Sequence, residues 1–169
     1  VKNTLNGKAK FDGQQHKVFR RIGKDENGYW IDLCDDEWKA LCITIKGWRV
    51  ERKPNVRFIR TKAMRPLPFP KLGGSYDQLW TFLNIPPEDQ DLLLAWILET
   101  YRCDTPFPPL ELTGEQGSAK SSTQTVVRSL IDPNQVMLRG RPKTVEDIYV
   151  SAKNNHLLSF ENLSNISND

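Results

Sequence analysis

The 169-residue sequence is poor in cysteine and histidine, with three cysteines and two histidines. The cysteines (Cys34, Cys42 and Cys103) include no Cys-x-x-Cys pair, which argues against both a disulfide framework and a zinc site. The longest apolar run, Leu92–Leu98, is far shorter than the roughly 20 residues that a membrane-spanning helix needs. The chain does not open with a charged and then apolar leader. We therefore expect a cytoplasmic, reduced protein without a membrane segment.

Charge is unevenly distributed along the chain. Residues 49–71 contain eight cations and one acid, whereas residues 72–118 contain eight acids and one cation. A basic stretch followed by an acidic one suggests two units. Trp48 and Phe58 lie within or beside the basic segment, as aromatic residues do on nucleic-acid-binding surfaces. The segment predicts contact with DNA. The alternatives are that it forms a solvated sheet face, or that its cations pair with the acidic stretch.

The first 70 residues predict a small antiparallel β domain. Strands at 18–22 and 29–33 flank an Asn-Gly pair, which is a strong hairpin signal. A second hairpin runs from 41–45 to 48–50 with its turn at Lys46-Gly47, and a fifth strand is expected at 56–60. Large apolar and charged residues alternate, which indicates one solvent-exposed face.

Helices and short strands follow the prolines and glycines of residues 66–74. Residues 71–107 predict a helical linker or subdomain, with a capping-box pattern at Ser75 and a helix before residue 101. From residue 108, predicted strands at 110–112, 135–138 and 156–160 alternate with predicted helices at 121–131 and 144–152. This order predicts an α/β unit with a parallel sheet. The predicted fold class is an α+β N-terminal part followed by a partial α/β P-loop NTPase core at residues 108–169.

The octapeptide at residues 114–121 (Gly-Glu-Gln-Gly-Ser-Ala-Lys-Ser) lies between a predicted strand and a predicted helix, as a phosphate-binding loop does. Glycines allow backbone N–H groups to approach phosphate, and the helix N-terminus favours an anion. The lysine would reach the β- and γ-phosphates of ATP. The loop departs from the consensus at Ala119, and the alternative is an ordinary Gly/Ser loop. The predicted ATP-binding residues are Gly114, Glu115, Gln116, Gly117, Ser118, Ala119, Lys120, Ser121 and Ser122.

Glu161 ends the last predicted strand about forty residues after the loop. An acid at that place can hold Mg²⁺ directly or through water, so we predict Mg²⁺ ligation by Ser121 and Glu161. The next residue, Asn162, can orient a water molecule but cannot accept its proton. Lys120, Glu161 and Asn162 are thus the predicted catalytic residues of an ATPase in which either hydrolysis is slow or another residue acts as the base. The alternative is that Glu161 is a surface acid at a strand end.

Residues 112–121 resemble the nucleotide loop of ATP-binding, helicase-like proteins of bacteriophages and integrative elements. The similarity extends to residues 28–33, 47–50, 128–133 and 155–164. It implies a P-loop ATPase, AAA+ or superfamily-3-like, often fused to a primase–polymerase and hexameric in a complete protein. Such a core normally continues into strands that carry a sensor and an arginine finger. We therefore expect a truncated, weakly active piece whose strand at 156–160 leaves an unpaired edge prone to self-association.

Three functions remain open at this point. The leading one is the ATP-binding part of a DNA-replication helicase of a phage or mobile element. The second is a noncatalytic DNA-binding or interaction module with a vestigial loop. The third, a small-molecule P-loop kinase, is disfavoured because no arginine-rich lid segment follows the core. Arg139 and Arg141 either contact phosphate or cap a loop.

Overall fold

The computed structural model describes residues 2–163. These residues form four α-helices, which are α1 (Lys2–Phe11), α2 (Pro87–Thr100), α3 (Lys120–Ile131) and α4 (Val145–Asn154), and a 3₁₀ helix at Tyr76–Thr81. The strands are β1 (Val18–Phe19), β2 (Ile22–Lys24), β3 (Tyr29–Asp32), β4 (Ala40–Thr44), β5 (Gly47–Glu51) and β6 (Arg57–Phe58). None of the described helices has the length and apolar character to span a membrane.

Strands β2, β3, β4 and β5 form a four-stranded antiparallel sheet in that order. The first hairpin turns at the predicted Asn-Gly pair, where the Asp25 carboxylate accepts the N–H groups of Asn27 (2.9 Å) and Gly28 (3.1 Å). A Cβ atom on Gly28 would lie 2.1 Å from the carbonyl oxygen of Ile43, so only glycine fits at this place. The second turn lies at residues 45–46, one residue earlier than predicted, and Gly47 begins β5.

Two predictions for the first 70 residues are wrong. The predicted strand at 18–22 is interrupted, because Arg21 has φ 60° and turns its guanidinium into the interior. As a result β1 leaves the four-stranded sheet and pairs with β6 in parallel, although an antiparallel strand was expected at 56–60. The chain also begins with helix α1, which the β pattern did not predict.

The apolar side chains form two separate clusters. The first lies on one face of the sheet and consists of Trp30, Ala40, Cys42 and Val56, with Phe19 and Phe58 packed against them. The second joins α2 to α3 and consists of Leu83, Leu93, Ile97, Val127, Ile131 and Leu157. Helices α2, α3 and α4 lie where the sequence predicts helices.

The three strands predicted after residue 108 do not form regular strands. Residues 110–112 and 135–138 lack strand pairing, and the 156–160 segment contributes one parallel bridge, between Arg139 and Phe160. Prolines 108, 109 and 133 lie just before the first two segments, and proline cannot donate to a sheet. Several carbonyl groups here bond to side chains instead, such as Pro108 O to the Trp96 indole N–H at 2.7 Å. The parallel sheet and its unpaired edge are therefore not formed within residues 2–163.

A buried ion pair links the β region to the helical region. Arg21 Nε lies 3.0 Å from Asp132 Oδ1, and both side chains are almost fully buried. Arg21 also donates to the carbonyl oxygens of Asp32, Arg65 and Pro133 at 3.0, 2.8 and 3.2 Å. Two backbone hydrogen bonds run beside it, from Arg65 N to Pro133 O (2.9 Å) and from Gln135 N to Ala63 O (2.7 Å). Residues 63–65, close to the predicted linker, are thus fixed against the segment that follows α3.

Candidate functional site

The predicted phosphate-binding loop surrounds the ammonium group of Lys120. Its Nζ donates to the carbonyl oxygens of Gly114 (2.8 Å) and Glu115 (2.6 Å) and to Ser118 Oγ (3.2 Å). All three acceptors are uncharged, and no carboxylate within the described residues pairs with this lysine. The loop therefore presents an unneutralised cation at the first residue of α3, which is the helix end that favours an anion.

The backbone of the loop explains its small residues. Gly114 and Gly117 have φ values of 149° and 85°, in the region that favours glycine. Ala119, where the consensus has glycine, also takes the left-handed conformation (φ 60°) and is the N-terminal cap residue of α3. For a non-glycine residue this conformation costs about 1–2 kcal/mol. Alanine at this position thus keeps a glycine-like backbone rather than changing the path of the loop.

Contacts from outside the loop hold it in place. Asn84 Nδ2 donates to the carbonyl oxygen of Ser118 at 3.1 Å. Helix α3 is anchored through Thr123 and Val127, which are almost fully buried. Ser121 and Ser122 are exposed in its first turn. Ser121 is therefore accessible to solvent beside the loop.

Glu161 and Asn162 lie in the same region but make no direct contact with the loop. The Gln124 side chain, three residues after Ser121, donates to Phe160 O at 2.8 Å and so places Glu161 near the N-terminal half of α3. No hydrogen bond or ion pair joins Glu161 or Asn162 to Lys120 or Ser121 in the part of the chain that the structure describes. Residues 2–163 likewise contain no group of three or more His, Cys, Asp and Glu side chains that could hold a metal ion. A magnesium site here would depend on phosphate and water ligands.

Arg128, in the stretch 128–133 noted above for its resemblance to a known family, supports the fold through buried hydrogen bonds. It is fully buried in α3 and donates to Met137 O (2.9 Å) and to Asn155 Oδ1 (3.0 Å). Asn134 donates to the same Asn155 oxygen at 3.0 Å. Burial lowers the pKa of the Arg128 guanidinium. These side chains replace strand pairing as the support of the segments after α3.

Asp132 and His156 complete this support. Besides its ion pair with Arg21, Asp132 accepts the backbone N–H groups of His156 (3.0 Å) and Leu157 (3.2 Å). His156 Nε2 lies 2.7 Å from Thr100 O at the end of α2, so Nε2 carries the proton and donates it. Burial lowers the pKa of the His156 imidazole.

The ion pairs of the basic segment 49–71 are made with acids of the β region. The alternative prediction, that the segment pairs with the acidic stretch at 72–118, is not met within the described residues. Arg60 binds both carboxylate oxygens of Asp32, at 2.6 and 2.9 Å, and stacks on Trp38 with 3.9 Å to the ring centroid. Two further ion pairs join Arg49 to Glu51 and Arg52 to Glu37. Five exposed cations of the segment have no acidic partner within the described residues, namely Lys53, Arg57, Lys62, Arg65 and Lys71. Of these, Arg65 donates to the backbone carbonyl oxygens of Lys62 and Met64.

Comparison with protein-family models finds a match over the C-terminal part of the chain. Residues 76–169 match the model described as "Actinomycete integrative conjugative element replication protein". The matched stretch is more than half of the chain and includes α2, α3, α4, the loop and Glu161. No curated protein and no solved structure matches the chain.

Proposed function

The chain belongs to the family of replication proteins of actinomycete integrative conjugative elements, and we propose that it binds ATP with Mg²⁺ at residues 114–122 during replication of such an element. The observation that carries the proposal is the position of Lys120, whose ammonium is held at the centre of the loop by three uncharged acceptors. Phosphate oxygens are stronger, charged acceptors for the same group.

The residues of the loop divide the binding between them. Lys120 would exchange one or more of its bonds to Gly114, Glu115 and Ser118 for bonds to phosphate oxygens. The backbone N–H groups near Gly117 and the N-terminus of α3 would bind the remaining phosphate charge. Mg²⁺ would add a charge that bridges phosphate oxygens, with the exposed hydroxyl of Ser121 as a protein ligand.

Glu161 and Asn162 have weaker roles in this proposal. Glu161 would reach Mg²⁺ through a water molecule, since no direct contact joins it to the loop within the described residues. Mg²⁺ commonly keeps several waters, so such a site does not need a cluster of carboxylates. Asn162 orients water without accepting its proton, and we therefore expect ATP hydrolysis, as in a helicase-like replication protein, to be slow.

The test is binding of a fluorescent ATP analogue by the whole chain in Mg²⁺ and in EDTA. Lys120→Ala should lower the affinity by about tenfold or more, because a charge-assisted contact is lost. Lys71→Ala, at an exposed lysine without an acidic partner in residues 2–163, is the matched control and should bind like the wild type. Equal affinity of Lys120→Ala and the wild type, or no saturable binding at about millimolar nucleotide, would refute the proposal.

A second function, DNA binding, is favoured by the unpaired cations of segment 49–71. Exposed lysines and arginines without acidic partners can neutralise DNA phosphates, and the counterions thereby released from the DNA drive binding. We propose that this segment contacts DNA, whether or not the loop binds ATP. Binding of a labelled DNA should weaken steeply with salt and should be unaffected by Lys120→Ala. Salt-independent binding would contradict this function.

A further inference from the structure

We infer that the DNA-contacting surface includes a cleft beside the paired strands β1 and β6, in which Lys17 and Arg57 bind phosphates of the DNA backbone. This β1–β6 cleft has a volume of about 200 Å³, and its lining includes His16, Lys17, Phe19, Asn55, Val56 and Arg57. The inference rests on the proposed DNA contact and names its site.

The strand pairing brings together two basic segments that are far apart in the sequence. Besides segment 49–71, residues 1–24 contain seven cations and a single acid, Asp12. The parallel pairing of β1 with β6 places Val18 opposite Arg57 and Phe19 opposite Phe58. Lys17, the residue before β1, therefore lies beside β6 in the lining of the cleft. A pattern read along one segment does not show this convergence, because it depends on the register between strands.

The charges in and around the cleft leave two cations available. Lys24 also lines the cleft, but it pairs with Asp104 at 2.7 Å. Asp25, the acid of the lining, accepts backbone N–H groups in its own turn. Lys17 and Arg57 are exposed and have no acidic partner within residues 2–163. Both are therefore free to neutralise phosphate.

The shape of the cleft favours backbone contacts over contacts to bases. The Lys17 ammonium lies over the Phe19 ring, 5.0 Å from its centroid, and the ring is half-buried, so it is a poor stacking surface for a base. Val56, which also lines the cleft, is buried in the sheet cluster. Phosphate contacts by lysine and arginine position DNA without reading its sequence. We therefore expect binding through the cleft to be salt-dependent and independent of sequence.

The test compares two double variants that remove the same charge from the whole chain. Fluorescence anisotropy with a labelled duplex of arbitrary sequence, and with its single strand, gives the slope of log K against log salt. Lys17→Gln/Arg57→Gln should reduce the slope by about 1.8 on the duplex and about 1.4 on the single strand, because each phosphate contact contributes about 0.9 and 0.7. Lys143→Gln/Lys153→Gln is the matched control, with two exposed cations that lie outside both the cleft and segment 49–71.

The outcomes separate this inference from the proposals on which it rests. A smaller slope in the cleft variant, with a clearly lesser change in the control, supports the cleft. An unchanged slope in the cleft variant, or an equal loss in both variants, overturns it while leaving DNA binding itself intact. If the wild type shows no salt-dependent DNA binding, both the DNA contact and the cleft are refuted. Nucleotide binding is measured separately and bears on neither result.

Discussion

The β region and the region after residue 106 satisfy their backbone groups in different ways. Strands β2 to β5 pair their N–H and C=O groups in a regular antiparallel sheet. After residue 106, side chains take over this role, as Gln124, Arg128 and Asp132 bond to backbone groups of the segments that surround α3. The first region depends on turn geometry and the second on individual buried polar groups. The two regions should therefore fail under different substitutions.

The candidate nucleotide loop belongs to the second kind of structure. Its path depends on Lys120 and on the Asn84 contact to Ser118, rather than on a strand that enters it. A loop held in this way can rearrange when a stronger acceptor arrives, because its internal bonds are to uncharged groups. This is consistent with the proposed binding of phosphate.

The largest effect is expected where the two regions meet. Asp132→Ala should lower the free energy of unfolding by about 3–5 kcal/mol, because Arg21 would remain as a buried, unpaired charge. Urea denaturation followed by tryptophan fluorescence measures the loss. Asp104→Ala removes an exposed ion pair with Lys24 and should cost less than about 1 kcal/mol. Similar losses in the two variants would show that the Arg21–Asp132 pair does not join the regions.

A pair of glycine substitutions tests the dependence of the β region on turn geometry. Gly28→Ala should lower the free energy of unfolding by about 2–3 kcal/mol, since its Cβ would lie 2.1 Å from Ile43 O. Gly47→Ala is the matched control, with φ +122° and nothing within 4 Å of the added Cβ, and should cost only about 1 kcal/mol of backbone strain. Thermal unfolding monitored by circular dichroism gives both values. The reverse order would mean that the first hairpin is not packed as described.

The sequence predicted the parts of this fold that depend on local signals. The Asn27-Gly28 turn, helices α2 and α3 and the helix start at Thr144 are confirmed, since each follows from residues close to one another in the chain. Phosphate binding at the loop stays a prediction, although the helix begins where the motif requires.

The rest depended on contacts between distant residues. The buried position of Arg21 requires Asp132, which is 111 residues away. The short apolar runs after residue 108 have the sequence pattern of strands. In the structure they have no neighbouring strands with which to form a sheet. Equally, the β1–β6 cleft depends on a parallel register that neither strand specifies alone. The count of charges along the chain identified the basic segment 49–71. It did not show that the basic residues of 1–24 lie next to this segment in the fold.

A smaller effect is expected at the start of α4, where local signals also operate in the second region. Thr144 Oγ1 accepts the N–H of Asp147, and the Asp147 carboxylate accepts the N–H of Thr144 at 3.1 Å. Thr144→Ala should therefore destabilise α4 by about 1 kcal/mol. Hydrogen exchange of the α4 amides should show faster opening, while the amides of α3 stay unchanged. Equal loss of protection in both helices would mean that α4 unfolds only with the whole region.

The smallest effect is a pH dependence carried by His156. Its pKa is lowered in the folded chain by burial, although its contact with Thr100 O opposes this shift. As the pH falls through the ordinary histidine range, the unfolded chain therefore binds a proton more readily than the folded chain. The contribution of neutral His156 to the free energy of unfolding, which is present above that range, is lost on acidification. His156→Gln keeps a side-chain N–H donor but cannot take up the proton. Urea denaturation between about pH 7.5 and 5 should show a steeper loss of stability in the wild type than in His156→Gln, and parallel curves would show that the histidine is not buried as a neutral donor.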